Sequence, residues 1–348
     1  MASLGSKGKA PLNVSSLRPV LKWAGGKRSL LSEIIPLVPT DFSRYIEPFA
    51  GGAAVLWQLQ PQNALVADAN AELISLYECI KQDPESLVKE LKKFRKQMIA
   101  TAKEYEKLPM HEVDARLEGF IESRPRQQVR LVRLRDLEPE VRRRKIRLEA
   151  WALLYEEIRA WDRNKLTVKK KTQAELAARM IYLNHLGFNG LYRVNSKNQF
   201  NVPFGRYDNY NFFDEDLIIE LSRYLNGTSS INFVCQSFEE TIAQAVEGDF
   251  IYVDPPYAPL DTAESSFVGY TKFGFTEANL SNLTDSLDRA TSRGVNWLMS
   301  NIKSNATETL FNSRGYRLIE VEVARPVNSD ASKRGKVTEY LVFPTTPY

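Results

Sequence analysis

Cysteine and histidine are scarce in this chain, with two of each among 348 residues. Cys79 and Cys235 stand far apart, which excludes a disulfide framework and implies a reducing compartment. His111 and His185 are isolated and belong to no Cys/His cluster, so no bound metal is expected. No apolar run approaches the ~20 residues of a membrane span, and no signal-peptide pattern is present. A cytoplasmic protein is therefore expected. A strong charge of one sign is also missing. The net charge is only +4, too small by itself to demand a polyanion partner, although its distribution is uneven. What is present is ordinary for a globular protein: 43% hydrophobic and 26% charged residues, in a chain long enough for one large α/β unit and a smaller one.

The stretch that carries most chemistry is Asp249 to Tyr257, DFIYVDPPY. Phe250, Ile251, Tyr252 and Val253 are bulky and apolar, the pattern of a fully buried strand in a parallel sheet. Two prolines then forbid both helix and further ladder pairing. Asp254, two rigid carbonyls and the Tyr257 ring are thereby placed at the carboxyl end of a central strand, where open α/β sheets bind ligands. Asp254 and the Pro255 carbonyl accept hydrogen bonds without donating. They suit an exocyclic amine on a flat heterocycle, whose two hydrogens they can take while the nitrogen lone pair is left for an electrophile. Tyr257 offers a ring for stacking. The plainer alternative is a Pro-Pro turn with an incidental aspartate.

Residues 1–16 are small and polar and read as a disordered tail. LKWAGGK follows, a glycine turn (Gly25-Gly26) between Trp23 and Lys27 at a helix start, a natural seat for a carboxylate or phosphate. In RYIEPFAGGAAVLWQL, Tyr45-Ile46 is a short strand ended by Glu47-Pro48-Phe49, and Ala50 to Ala53 turn into a helix. This is the first βα turn of a nucleotide-binding unit without the full GxGxxG spacing. ALVADAN supplies a second strand ending in Asp68, positioned for a ribose diol. Asp68 can equally cap the next helix, a task Asn70 could fill instead.

From about 84 to 225 the sheet pattern stops and helices are expected, around 84–123, 149–162 and 173–187. Residues 124–147 carry ten Lys/Arg against three acids. This is either a solvated helix face or loop, or a phosphate-contacting surface. HLGFNGLYRVNSKNQFNVPFGRY then interleaves aromatics with Arg193, Lys197 and Arg206 around turn residues, and reads as a β-hairpin or Ω-like loop. Such a set suits reading base edges and bracing unstacked bases. Phe200 and Phe204 alternatively form a small core under the loop. After 225 the sheet resumes with strands at 231–237, 249–255, 295–301, 316–323 and 338–344. Helices fall near 239–245, 276–292 and 305–312, with none between the last two strands. The expected architecture is a Rossmann-like, doubly wound α/β fold with a seven-stranded mixed sheet, one strand antiparallel. A mainly helical insertion carries the hairpin.

With LKWAGGK, IEPFAGGAAV, Asp68, NGLYRVN–QFNVPFGRY and VDPPYAPL in this order, the chain resembles the DNA adenine methylase (Dam) family from about Leu21 to Pro344. The resemblance implies a site-specific, adenine-specific DNA methyltransferase that moves the methyl of S-adenosylmethionine to N6 of a flipped-out adenine in double-stranded DNA. It implies 5′-GATC-3′ as the site, action as a monomer, and a place at the nucleoid through DNA. It assigns Trp23, Lys27, Glu47, Pro48, Phe49, Gly51, Asp68 and Asp254 to the cofactor, and Asp254, Pro255, Pro256 and Tyr257 to catalysis. Lys22, Phe188, Asn189, Leu191, Arg193, Pro203 and Arg206 go to DNA. Residues 17–84 with 226–348 would form the catalytic domain, and 85–225 the target-recognition domain, with an arginine-rich insertion at about 108–150.

The residues fit this scheme. Asp68 suits the ribose diol, Lys27 the cofactor carboxylate, and Glu47 with Asp254 its cationic end. The methyl is already activated, so neither metal nor covalent intermediate is required, and placement and amine hydrogen bonding are what the site must supply. Flipping a base costs a few kcal/mol, roughly, which a wedge such as Phe188 or Leu191 offsets. Arg193 fits bidentate guanine recognition, and Arg206 fits a phosphate. Phe188 stands where the family often has tyrosine, and Ala53 replaces a glycine common in the first turn, a mild change. The alternatives are methylation of cytosine N4 or of an RNA base and, from another class, a DNA-binding protein without catalysis.

Overall fold

The computed structural model describes residues 17–23, 25–109, 111–113, 115, 137–209, 211–227, 230–257, 275–324 and 336–345. The expected tail at 1–16, the arginine-rich stretch up to Asp136, the Ala258–Leu260 end of VDPPYAPL and the basic link from Arg325 lie outside them.

The strands are β1 (Arg44–Glu47), β2 (Asn63–Asp68), β3 (Ser230–Cys235), β4 (Asp249–Val253), β5 (Asn296–Ile302), β6 (Arg317–Ala324) and β7 (Lys336–Phe343). They form one seven-stranded sheet in the order β3-β2-β1-β4-β5-β7-β6. β3, β2, β1, β4 and β5 run parallel, while β7 is antiparallel to both β5 and β6. The expectation of a doubly wound sheet with a single reversed strand holds. The order reverses between β1 and β4, and ligands of open α/β sheets bind at the carboxyl ends of the strands flanking such a switch.

Alternation along the central strands sorts their side chains onto two faces. Tyr45, Val66, Phe250, Tyr252, Leu298 and Leu341 join one core. Ile46, Leu65, Ile251, Val253, Trp297 and Val342 join the other. All five residues of β4 are buried, as a strand covered on both sides requires.

Helices α1 (Ala54–Leu59) and α2 (Ala71–Gln82) follow β1 and β2. Asn70 caps α2, its side-chain oxygen accepting from the amides of Glu72 at 3.1 Å and Leu73 at 3.3 Å. Asp68 is thus relieved of that duty. The insertion is helical: α3 (Pro84–Lys107), α4 (Pro139–Arg159), α5 (Gln173–Leu186) and α6 (Glu215–Gly227). Its apolar residues, among them Leu91, Trp151, Ile181 and Phe212, belong to the same core as Tyr45 and Tyr252. The helical layer therefore packs directly on one sheet face. α7 (Phe238–Ala243), α8 (Glu277–Thr291) and α9 (Asn305–Ser313) cover the other.

The hairpin after α5 is irregular. Its two arms touch through two isolated antiparallel bridges, Gly187–Phe204 and Val194–Phe200, without a continuous ladder. The turn Phe188–Gly190 interrupts the first arm, with Asn189 at φ 57° and Gly190 at φ 63°. Phe200 and Phe204 are buried, and they join the main core with Tyr45 and Tyr252 rather than forming a separate small core under the loop.

Candidate active site

β1 and β4 are parallel neighbours, with Tyr45 opposite Phe250 and Ile46 opposite Ile251. Their ends therefore deliver Glu47 and Asp254 to the same sheet edge. Lys27 arrives from the helical turn Lys27–Leu30. Its ammonium lies 2.7 Å from Asp254 Oδ1, 2.8 Å from the Gly25 carbonyl and 3.3 Å from the Tyr257 hydroxyl. Ser300 on β5 donates to the same Oδ1 at 3.3 Å, and its hydroxyl lies 3.0 Å from that of Tyr252. Asp254 Oδ2 has no hydrogen-bond partner among the described residues. One oxygen of the carboxylate is clamped and the other is left to accept.

A second carboxylate closes the set from β7. Glu339 accepts from the Tyr257 hydroxyl at 2.5 Å and lies 3.8 Å from the Lys27 ammonium. Lys27 is 4% exposed and Glu339 5% at the side chain, so both charges are withdrawn from water. Lys27 had been assigned to the cofactor carboxylate. Its ammonium instead faces these two protein carboxylates.

Asp254 and Glu339 face Lys27, and Glu47 and Asp68 are buried at the same edge, with Glu47 close enough to feel both Asp254 and Asp68. Burial pushes the carboxyl of Glu47 well above the usual range, against a 2.9 Å hydrogen bond from Tyr45, and the neighbouring Asp254 adds to the rise. Burial also raises Asp254, with Lys27 pulling the other way, and raises Asp68 despite backbone amides at 3.1 Å (Gly51) and 2.9 Å (Asn70). For Lys27 burial opposes the ammonium, and Asp254 and Glu339 outweigh it, so its pKa is raised. Carboxyl groups that burial holds back from ionising would gain from a cationic ligand beside them.

The first turn is built by close approach. Gly51 sits at φ +45°, and a Cβ there would lie 2.8 Å from the Trp23 indole. Its amide holds Asp68 Oδ2 and its carbonyl accepts from Tyr77 at 2.5 Å. Ala53 adopts a left-handed φ of 53°. An alanine there carries roughly 1–2 kcal/mol of strain, more than a mild replacement of glycine suggests. Pro48 is buried, and Phe49 stacks on Phe238 at 5.3 Å with Phe275 edge-on at 6.0 Å, an apolar wall beside the acids.

Trp23 stacks on Tyr192 of the irregular hairpin at 5.4 Å, joining the two sequence motifs. Asn184, fully buried, accepts from the Lys22 amide at 2.8 Å and donates to the carbonyls of Lys22 at 2.8 Å and Gly190 at 3.0 Å. A Cβ at Gly190 would fall 2.5 Å from Lys22 Cδ, so only glycine fits. Lys22 is exposed over the Tyr207 ring at 5.3 Å, and the Tyr207 hydroxyl accepts from the Asn189 amide at 3.0 Å. Phe188 stands 46% exposed, whereas Leu191 is half-buried against the core. Arg193 spends its Nε on Asn201 at 2.9 Å, and its terminal nitrogens have no partner among the described residues. Pro203 is half-buried and accepts from the Phe188 amide at 2.8 Å.

Arg206, expected at a phosphate, is engaged within the protein. Its guanidinium bonds both oxygens of buried Glu149, at 2.5 and 3.2 Å. A buried carboxylate requires such a partner. Part of the arginine-rich segment is spoken for in the same way: Arg144 forks onto Asp208, and Arg147 lies over the Trp151 ring.

The profile of the family described as "D12 class N6 adenine-specific DNA methyltransferase" matches residues 23–327. The chain belongs to that family. Among curated D12-type relatives, the Type II methyltransferase M1.LlaDCHI of Lactococcus lactis subsp. cremoris is 35% identical over 95% of this chain and 96% of its own length. The DNA adenine methylase of Vibrio cholerae is 30% identical over 94% and 95%, and that of Haemophilus influenzae is 30% identical over 94% and 93%. As a D12-class enzyme, the protein methylates adenine N6 in DNA with S-adenosylmethionine as donor. The residues present fit that cofactor: the carboxyls at the edge would suit its sulfonium and ammonium, and the apolar wall at Phe49 would suit its adenine ring. No described helix is long and apolar enough to cross a membrane.

Five contributors escaped the sequence reading: Glu339, Ser300, Asn184, Tyr207 and Glu149. Only Glu339 left a signal. In TEYLVF it directly precedes four bulky residues, Tyr340 to Phe343, that are all buried on one face of the sheet or the other, where an acid is out of place.

Proposed function

We propose that the enzyme methylates the adenine of 5′-GATC-3′ in duplex DNA, with the target base flipped into the pocket at the β1–β4 switch. The observation that carries this reading is the asymmetric fixation of Asp254. Lys27 at 2.7 Å and Ser300 at 3.3 Å hold Oδ1, leaving Oδ2 for an amine hydrogen. The Pro255 carbonyl takes the second hydrogen, so the N6 lone pair is localised toward the donor. S-adenosylmethionine supplies an activated methyl, so the residues need only align the amine in line and dry the site. The Tyr257 ring walls the base. Glu47 and Asp254 face the cationic end of the cofactor, Asp68 its ribose, and Trp23, Pro48, Phe49 and Gly51 its base and turn. Lys27 serves as the counter-ion that orients Asp254.

Residues 17–84 and 226–348 form the catalytic part in this reading, and 85–225 the DNA-reading part. Phe188, raised on the Asn189–Gly190 turn, fills the gap left by the flipped base. Arg193 reads guanine with its uncommitted nitrogens, and Lys22 stands beside them. Arg206 and Pro203 hold the loop in shape. The GATC assignment rests on the likeness of the NGLYR hairpin to methylases of that site.

The test is methyl transfer from labelled S-adenosylmethionine to unmethylated duplexes, one containing GATC and one with it scrambled, followed by nucleoside analysis. N6-methyladenine in the GATC duplex alone is expected. Equal labelling of both duplexes overturns the site assignment.

A further inference from the structure

Glu339 stands on β7, opposite Ile302 of β5 and Val321 of β6, so it faces inward from the interior of the sheet. Its inward neighbours on the strand, Leu341 and Phe343, are core residues. A carboxylate placed there loses its hydration and must recover it from specific partners. Its partners are few. Oε1 accepts from the Tyr257 hydroxyl at 2.5 Å. Oε2 is buried without a hydrogen-bond partner, with the Lys27 ammonium 3.8 Å away. Core stability alone does not account for this choice, because a leucine of similar length would pack without desolvating a charge. What the glutamate adds is a grip on one atom, the hydroxyl at the tip of Tyr257.

That tip needs holding. Tyr257 follows two prolines that lock their own φ but do not set the torsions of the tyrosine side chain. A ring free to rotate about its first two side-chain bonds offers no defined wall for a flat base. With the hydroxyl tied to Glu339 and lying 3.3 Å from Lys27, and the ring centroid 5.3 Å from the Lys27 ammonium, the ring plane is fixed from behind. A charge-assisted bond of this kind is shorter and stronger than a neutral one.

We propose that Glu339 is a positioning residue for methyl transfer: it fixes the Tyr257 ring through its hydroxyl, and thereby the plane against which the target adenine rests. This rests on the reading of Asp254 to Tyr257 as the adenine pocket. The geometry depends on reach as well as charge. Aspartate keeps the charge but is one methylene too short to meet the hydroxyl, while glutamine keeps the reach and an acceptor oxygen.

The experiment uses the full chain as Glu339→Gln, Glu339→Asp, Tyr257→Phe and Glu339→Asp/Tyr257→Phe. Single-turnover transfer rates, S-adenosylmethionine affinity and the fluorescence of a duplex with 2-aminopurine at the target position are measured. Glu339→Asp and Tyr257→Phe are each expected to slow transfer about tenfold, and Glu339→Gln about threefold or less. Cofactor affinity stays within about twofold, and 2-aminopurine emission changes in the same variants. The double variant is expected to be no slower than Tyr257→Phe alone, because both substitutions cut the same contact. A Glu339→Asp enzyme as fast as the parent, or losses that multiply in the double variant, overturns the proposal. Asp254→Asn in the same assays tests the pocket reading separately. Full transfer in that variant refutes the pocket, whereas loss of transfer there beside a wild-type Glu339→Asp refutes only the role of Glu339.

Discussion

The irregular hairpin and the edge of β1 and β4 treat charge in opposite ways. Around the hairpin, buried ionic groups sit in matched pairs. Arg179 meets Asp162 at 2.8 Å and the carbonyls of Ile158 and Arg159, and Asp162 in turn accepts from the Phe200 amide at 2.7 Å. Arg206 meets Glu149. At the sheet edge Asp254 and Glu339 share Lys27, and the carboxyls of Glu47 and Asp68 lie buried nearby. The first arrangement sets each charge against an opposite one and serves to hold a shape. The second holds buried carboxyls that a cationic cofactor would stabilise in their ionised form. A fold can carry both because the hairpin's pairs and the apolar core stabilise it independently of that edge.

The sharpest way to break this contrast is to remove the acceptor. Asp254→Ala is expected to cut methyl transfer about a thousandfold, roughly 4 kcal/mol of barrier, while duplex binding persists in a gel-shift titration. Parallel loss of binding would mean that Asp254 holds the fold rather than the amine. Next comes the hairpin's support. Arg179→Ala leaves Asp162 with the half-exposed Arg163 at 3.5 Å and the Phe200 amide, and a loss of about 1–3 kcal/mol is expected by denaturant titration. An unchanged midpoint would show that the pair is not what carries the loop.

Arg193→Ala probes the hairpin's free end, and about 1–3 kcal/mol of discrimination against altered sites is expected to vanish while nonspecific binding changes little. Methylation mapping on randomised duplexes measures it, and an unaltered pattern would remove Arg193 from base reading.

The smallest effect is on pH. Burial raises the carboxyls of Glu47, Asp254 and Asp68. A bound cation lowers them again, so cofactor binding expels protons. Affinity for S-adenosylmethionine should therefore increase as pH rises from the ordinary carboxylate range toward the raised values, and level off above them. The limit is about 1.4 kcal/mol per pH unit for each proton released. Calorimetry in buffers of different ionisation enthalpy reads the proton count, and zero protons would show that the edge is not charged by the cofactor. The same groups lower fold stability in the opposite sense. Their ionised forms are disfavoured in the folded chain, so stability contributed by the neutral forms is lost as pH climbs through that window.

Much of the sheet was legible because local pattern and tertiary need coincide. The run Phe250–Val253 is apolar at every position, which only a strand covered on both faces tolerates, and the prolines after it mark its end. Asn70 was named as an alternative cap and takes that place. The hairpin was legible in composition but not in form, because its shape comes from distant partners: Asn184, Tyr207, and the Asp162 carboxylate on the Phe200 amide. The engagement of Arg206 within the protein was hidden for the same reason. Its partner Glu149 lies 57 residues away and looks from sequence like any helical glutamate. Tyr257 and Glu339 meet across 82 residues, a pairing that strand order creates and no local signal announces.

That strand order also bears on how the enzyme comes into being. β7 is the last described strand in the chain, yet it lies between β5 and β6 in the sheet. During synthesis the sheet must wait with β5 and β6 unjoined until β7 emerges and slots between them. Glu339 comes with it. A nascent chain still short of β7 can bury its β4 and present Asp254, but Tyr257 lacks its Glu339 acceptor. Competence then appears only once β7 has joined, and a chain cut shortly before β7 would carry two raw strand edges and an unfinished pocket.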